Sequence, residues 1–104
     1  MKYLITFITC ANQEEAKKIA NFLLKKKLAA CINIIPKVES LFWWKGKIDK
    51  ASELLLVVKT KKSLFKKLLI GVKILHSYSC PEIIALPIID GNKEYLKWLN
   101  DSTR

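Results

Sequence analysis

The sequence predicts an α+β fold of β-α-β-β-α-β order with a short C-terminal helix. Apolar residues switch between strand-like runs and helical stripes along the chain. A Lys45-Gly46 turn signal joins two long apolar segments. Pro36 and Pro87 fall in runs that this topology sends to the sheet edges.

Tyr3 to Ile8 is a compact, partly β-branched run and reads as a strand buried on both faces. Asn12 then offers an N-cap, with Glu15 three residues on in the manner of a capping box. Ala16, Ile19, Ala20 and Leu23 form one apolar stripe, so a helix follows. From Leu28 the pattern returns to strand through Ile35. Pro36 interrupts it, which predicts an edge position or a bulge, and Val38 to Trp44 continue as extended chain. Ile48 to Thr60 is the return strand of a long hairpin, with Leu54 to Val58 as its buried centre.

Ser63 is the expected cap of a second helix, with Phe65, Leu68, Leu69 and Val72 as its stripe. Gly71 inside it costs about 1 kcal/mol relative to alanine. Pro81 to Ile89 is a last strand. Asp90-Gly91-Asn92 turns the chain into a final helix marked by Tyr95, Leu96, Trp98 and Leu99. Two βαβ-type halves joined by a hairpin give the ferredoxin-like, antiparallel arrangement with an extended β2-β3 hairpin. Right-handed crossovers place the fourth strand first, then the first, the third and the second. Both long helices then share one face of the sheet, with their lysines outermost. Only the short final helix is left for the other face, so self-association is expected.

At 104 residues the chain is expected to form a single domain, 1–104. Half of it is hydrophobic (51 %), enough for a core without disulfide staples. Met1-Lys2 ahead of an apolar run and Cys10 has the outline of a lipoprotein signal. The run is short, Thr9 is large for the position before a lipidated cysteine, and cleavage would delete the first strand. The expectation is therefore a cytoplasmic chain with no membrane partner. Cys10, Cys31 and Cys80 each lie in or beside apolar segments and read as buried, reduced thiols.

The net charge of +10 rests almost wholly on lysine, the sole arginine being Arg104. Lysine supplies non-specific phosphate attraction but not the forked contacts of base recognition, so no specific nucleic-acid partner is expected. No catalytic set assembles around His76, the only histidine, and the chain is expected not to be an enzyme. The run His76-Ser77-Tyr78-Ser79-Cys80-Pro81-Glu82 has two readings. His76, Cys80 and Glu82 are metal-ligand types, and imidazole with thiolate suits copper or zinc. Equally, His76 and Tyr78 could hydrogen-bond locally in a loop that starts a strand at Pro81.

Several segments together resemble the CutA divalent-cation-tolerance family. They are Ala29-Ala30-Cys31-Ile32-Asn33, Phe42-Trp43-Trp44-Lys45-Gly46-Lys47-Ile48, and Glu53 with Leu56, Lys59 and Thr60. The loop from His76 through Tyr78 to Pro81-Glu82-Ile83 and the closing Tyr95-Leu96-x-Trp98-Leu99 complete the set. The resemblance implies a homotrimer with sheets inward and helices outward, and a link to tolerance of divalent metals, copper especially. Carried over by position, His76 is the metal candidate, with Cys31 and Glu82 joining it by residue type. Trp43, Trp44, Tyr95 and Trp98 are the expected oligomer-interface residues. No cofactor is required, a divalent metal such as copper being the ligand implied. The sequence departs from the family pattern at Ile8, Leu75 and Ser77, which removes at least one ligand of an inherited copper site. The alternative is a trimeric signalling or scaffold module that binds a small ligand or protein between subunits.

Overall fold

The computed structural model describes residues 2–104. The chain runs β1 (Tyr3–Cys10), α1 (Gln13–Lys25), β2 (Cys31–Trp44), β3 (Lys47–Lys61), a 3-10 turn (Lys62–Leu64), α2 (Phe65–Leu75), β4 (Ile83–Pro87) and α3 (Lys93–Asp101). The four strands form one antiparallel sheet in the order β2-β3-β1-β4, so the expected ferredoxin-like α+β topology holds. Both proline-bearing strands are at its edges.

Local chemistry accounts for most element boundaries. Asn12 is extended (φ −155°), and its Oδ1 accepts the Glu15 N–H at 2.9 Å, while the Glu15 carboxylate takes the Ala11 N–H at 3.1 Å. The α1 stripe Ala16, Ile19, Ala20 and Leu23 is buried against the sheet with Ile8, Leu56 and Val58. Lys45 (φ 50°) and Gly46 (φ 78°) both adopt the left-handed region, the requirement of a tight two-residue hairpin turn. At Pro36 the ladder breaks: Ile35 pairs with Leu55 and Val38 with Glu53, so Pro36 and Lys37 share the place opposite Leu54. Pro36 has no N–H to give the ladder, and Lys37 turns to φ 60° to absorb the extra residue.

The structure corrects some expectations. Ser63 caps nothing: it lies within the 3-10 turn, and α2 starts at Phe65 without a side-chain cap. The tight turn is anchored instead through the backbone, the Lys62 N–H meeting the Lys2 carbonyl at 2.8 Å. Gly71 is a packing residue, since a Cβ there would lie 2.5 Å from the ring of Phe22 on α1. β4 is shorter than expected, beginning at Ile83 and ending at Pro87. Only Cys10 is buried; Cys31 is half-buried and Cys80 exposed, and all three are free thiols. Nor is β1 buried on both faces. Leu4, Thr6 and Ile8 are buried, whereas Tyr3, Ile5 and Phe7 between them are half-exposed.

That last correction defines the molecule's shape. Register places Ile5 and Phe7 on one face with Val57, Leu55, Ile84 and Leu86, opposite the helices. Of the helices only α3 packs on this side, against β3 and, through Tyr95, beside Cys31 of β2. The lysines of α1 and α2 are exposed as expected. The accessible surface is 7048 Å², against about 6,000 Å² for an average folded chain of this mass. The radius of gyration is 14.1 Å, against about 13 Å for a compact domain of this length, and the long axis is 44 Å. The projecting hairpin and the open face explain both excesses.

Candidate functional site

Three elements end at one point: the last residues of β1, the first turn of α1 and the residue after α2. His76 terminates α2 by turning extended (φ −78°, ψ 139°), while its N–H still bonds the Val72 carbonyl at 2.9 Å. Its side chain is thereby directed inward and buried. Nδ1 accepts the Tyr78 N–H at 3.1 Å. A backbone N–H can only donate, so Nε2 carries the proton and donates it to the Thr9 carbonyl at 2.7 Å. The imidazole thus clasps the end of β1 to the loop after α2.

Glu15 makes the second clasp. One carboxylate oxygen takes the Ala11 N–H and the other the Ser77 N–H, with the latter oxygen 3.7 Å from His76 Nδ1. Burial pushes the acid upward, but the N–H donors of Ala11 and Ser77 and the nearby imidazole outweigh it. The net effect holds Glu15 below the ordinary value of 4.5. Position helps, since a carboxylate in the first turn of α1 meets the positive end of the helix dipole. Cys10 responds in the opposite sense. Burial, then the carboxylates of Glu15 and Glu53, push its thiol up to about 12.

At neutral pH Cys10 is accordingly a protonated, buried thiol and a poor nucleophile. Its Sγ, a Glu15 oxygen and a His76 ring nitrogen all lie within 4.8 Å of one another. Nitrogen, sulfur and oxygen in that proximity form a donor set for copper or zinc. To act so, Cys10 must shed its proton, and the His76 nitrogen that takes the ion must give up its hydrogen bond, to the Tyr78 N–H at Nδ1 or the Thr9 carbonyl at Nε2.

Among the described residues this is the one group of three ligand types close enough to share an ion, and neither Cys31 nor Glu82 belongs to it. Cys31 pairs with Lys59, four positions along β3 from Leu55, the partner of Thr9. That separation is about 13 Å of strand. Its sulfur lies 3.8 Å from Lys59 Nζ and beside Tyr95 of α3. Glu82 is exposed at the rim of a cleft that Trp43 and Trp44 also line. Tyr95 and Trp98 on α3 meet in a tilted pair with ring centroids 5.3 Å apart, both about two-fifths exposed. Trp43 is 72 % and Trp44 43 % exposed.

Sequence reasoning named His76, with Cys31 and Glu82, and did not name Cys10 and Glu15 as the groups the fold sets beside it. Glu15 was read as half of a capping box with Asn12. Asn12 does cap the Glu15 N–H. The Glu15 carboxylate, however, takes the Ala11 N–H one residue before the cap, and nothing local signals its reach to Ser77. Both readings of the His76 loop leave a trace in the structure: the local hydrogen bonds are made, by His76 and Tyr78 themselves, and ligand types surround the imidazole.

Fold and site together define a small α+β chain in which His76 and Glu15 clasp β1, α1 and the loop after α2. The chain belongs to the CutA1 divalent ion tolerance protein family, whose model matches residues 4–102. It is 46 % identical over 97 % of its length to "Protein CutA 1, chloroplastic" of Oryza sativa, covering 57 % of that protein. It is 48 % identical over 95 % of its length to the divalent-cation tolerance protein CutA of Thermus thermophilus, covering 96 % of it. The chain thus spans little more than half of the plant relatives and nearly all of the bacterial one. The solved Thermus thermophilus structure superposes with a TM-score of 0.96 at 46 % identity, covering 98 % of this chain and 99 % of that one. The structure of the periplasmic divalent cation tolerance protein CutA from Archaeoglobus fulgidus gives a TM-score of 0.93 at 46 % identity, covering 96 % of this chain and 97 % of that one. No helix among the described residues is long and apolar enough to cross a membrane.

Proposed function

We propose that this chain serves divalent-cation tolerance as a homotrimer that takes up copper at His76, with Cys10 and Glu15 as the accompanying ligands. The proximity of three ligand atoms within 4.8 Å carries the metal reading, and the divalent-cation tolerance for which the chain's Thermus thermophilus relative is named gives it context. Cys31 and Glu82 fall outside this ligand set. The ion is cargo rather than a resident cofactor, and no bond-making step on a substrate is part of the reading. Free cysteines fit a reducing, cytoplasmic setting.

Assembly is supported by the open sheet face and by exposed aromatic side chains at both ends of the molecule. In this reading Trp43 and Trp44 on the hairpin, and Tyr95 and Trp98 on α3, pack against neighbouring subunits. Sedimentation equilibrium should return three times the chain mass; a monomer across the concentration range would refute the assembly.

Copper and zinc titrations of wild type, Cys10→Ser and His76→Gln test the metal site. Each variant should bind copper about ten-fold more weakly or worse. Wild type should release a proton per ion, because a thiol at about 12 must ionise to bind. Unchanged affinity in both variants, each shown folded by circular dichroism, would remove the site.

A further inference from the structure

The helix layer turns its outer surface away from the sheet, on the side opposite the face that assembly would cover. Glu15 of α1 meets Ser77 just past α2, and Phe22 meets Gly71, so the two helices lie side by side and antiparallel. With about 100° between successive helical residues, the exposed residues of α2 share an arc of about 120° opposite Leu68 and Val72. Across that arc they fall in the order Lys67, Ile74, Ile70, Lys66, Lys73. Two isoleucines on adjacent turns thus lie between lysines on both sides, and Ile74 is 78 % and Ile70 56 % exposed.

Charge on this surface is nearly all of one sign. No acidic residue occurs between Glu53 and Glu82, and α1 adds the exposed Lys17, Lys18 and Lys25. The single exposed acid of the two helices, Glu14, sits in the first turn of α1. A lone exposed aliphatic side chain is ordinary, but a pair set among lysines combines two attractions. Ammonium groups are drawn to phosphates, and the isoleucines gain only where the same surface offers an apolar layer beneath them. An anionic bilayer supplies both, at the depth that a helix lying in its interface reaches. Lysine stems extend along apolar surface while their charges stay among the headgroups. A nucleic-acid backbone offers no place for Ile70 and Ile74, and a second copy of the layer would repel the first.

We propose that this layer docks on an anionic membrane surface, with Ile70 and Ile74 entering the headgroup boundary and the flanking lysines meeting lipid phosphates. Surface docking needs neither a spanning helix nor a lipid anchor, so it replaces the expectation of no membrane partner without requiring either. Cys10, Glu15 and His76 are buried away from the exposed arc. The inference therefore goes beyond the metal reading and stands or falls separately from it.

The test is co-sedimentation of the metal-stripped full chain with vesicles of phosphatidylcholine, alone or with a quarter of phosphatidylglycerol. Binding is expected on the anionic vesicles only and should weaken with salt. Lys67→Gln should bind about five-fold more weakly, the effect of one lysine at a charged surface. Lys50→Gln makes the same change of charge on the exposed hairpin and should bind like wild type. Ile74→Ser should lose about ten-fold, since its side chain no longer enters the apolar layer. All three substituted side chains are exposed, so the variants should fold. No binding to the anionic vesicles overturns the proposal, as does an equal loss in Lys67→Gln and Lys50→Gln. Vesicle binding unchanged in Ile74→Ser also overturns it, and a duplex DNA held as tightly by that variant as by wild type would then assign the layer to nucleic acid.

Discussion

The two faces of the sheet carry similar residues and meet different fates. On the helix side, Ile8, Leu56 and Val58 are fully buried under α1 and α2, helices of 13 and 11 residues. On the other, Ile5, Phe7, Leu55 and Val57 are half-buried, and Ile84 and Leu86 are about half exposed. Nine-residue α3 reaches only one part of that side. Both faces are written by the same alternation in β1 and β3. The difference lies in the supply of cover, which strand composition does not specify. An apolar face states that something must cover it, and chain length decides whether that something is internal.

The contrast is sharpest at neighbouring leucines. Leu56→Ala on the filled side should cost about 3 kcal/mol in urea unfolding. Leu55→Ala, one residue away on the open face, should cost about 1 kcal/mol in dilute solution and more once assembly covers it. Equal losses at every protein concentration would erase the distinction between the faces.

Glu15→Gln tests how far the filled side depends on its polar clasp. The amide NH₂ would face either the Ala11 or the Ser77 N–H, for an expected loss of about 2 kcal/mol. Because folding lowers the Glu15 pKa, its stabilisation is complete above the ordinary value of 4.5. It is lost as pH falls through the lower folded value. Wild type should therefore lose stability with acid more steeply than the glutamine variant; parallel curves would contradict the clasp.

Smaller effects probe the fit between helices and sheet. Alanine normally stabilises a helix relative to glycine, yet Gly71→Ala should destabilise by about 1 kcal/mol because Phe22 must move. Adding Phe22→Leu should restore the usual preference, and stabilisation by Gly71→Ala alone would show that the ring is not a barrier. Thr6 holds the one buried side-chain hydroxyl without a partner among the described residues. Thr6→Val should raise the unfolding midpoint, gaining up to about 1 kcal/mol; a lowered midpoint would reveal a partner for the hydroxyl.

Much of the fold was legible because its signals are local. Lys45-Gly46 announces the hairpin turn, Pro36 the bulge, and the Asn12–Glu15 spacing the start of α1. What stayed hidden acts across distance. Glu15 meets Ser77, 62 positions away, and Gly71 is explained by a ring on another helix. Ser63 looked like a cap because serine often is one, but the preceding strand ran on to Lys61 and entered a 3-10 turn. At the candidate site, His76 was named through the family resemblance while its loop left a local hydrogen-bonding role open, whereas Cys10 read as a buried thiol and only topology sets it beside two other donors.

The bulge at Pro36 and Lys37 has one more effect, on the phase of the hairpin. Before it, odd-numbered residues of β2 share the open face, ending at Ile35; after it, even-numbered ones do, from Val38 through Phe42 to Trp44. The two tip tryptophans thus point to opposite sides, and which one joins the open face is decided some eight residues upstream. Had the ladder run on without slippage, Trp43 would hold the place that Trp44 has. A single residue turned to positive φ therefore chooses which indole any neighbouring molecule would meet.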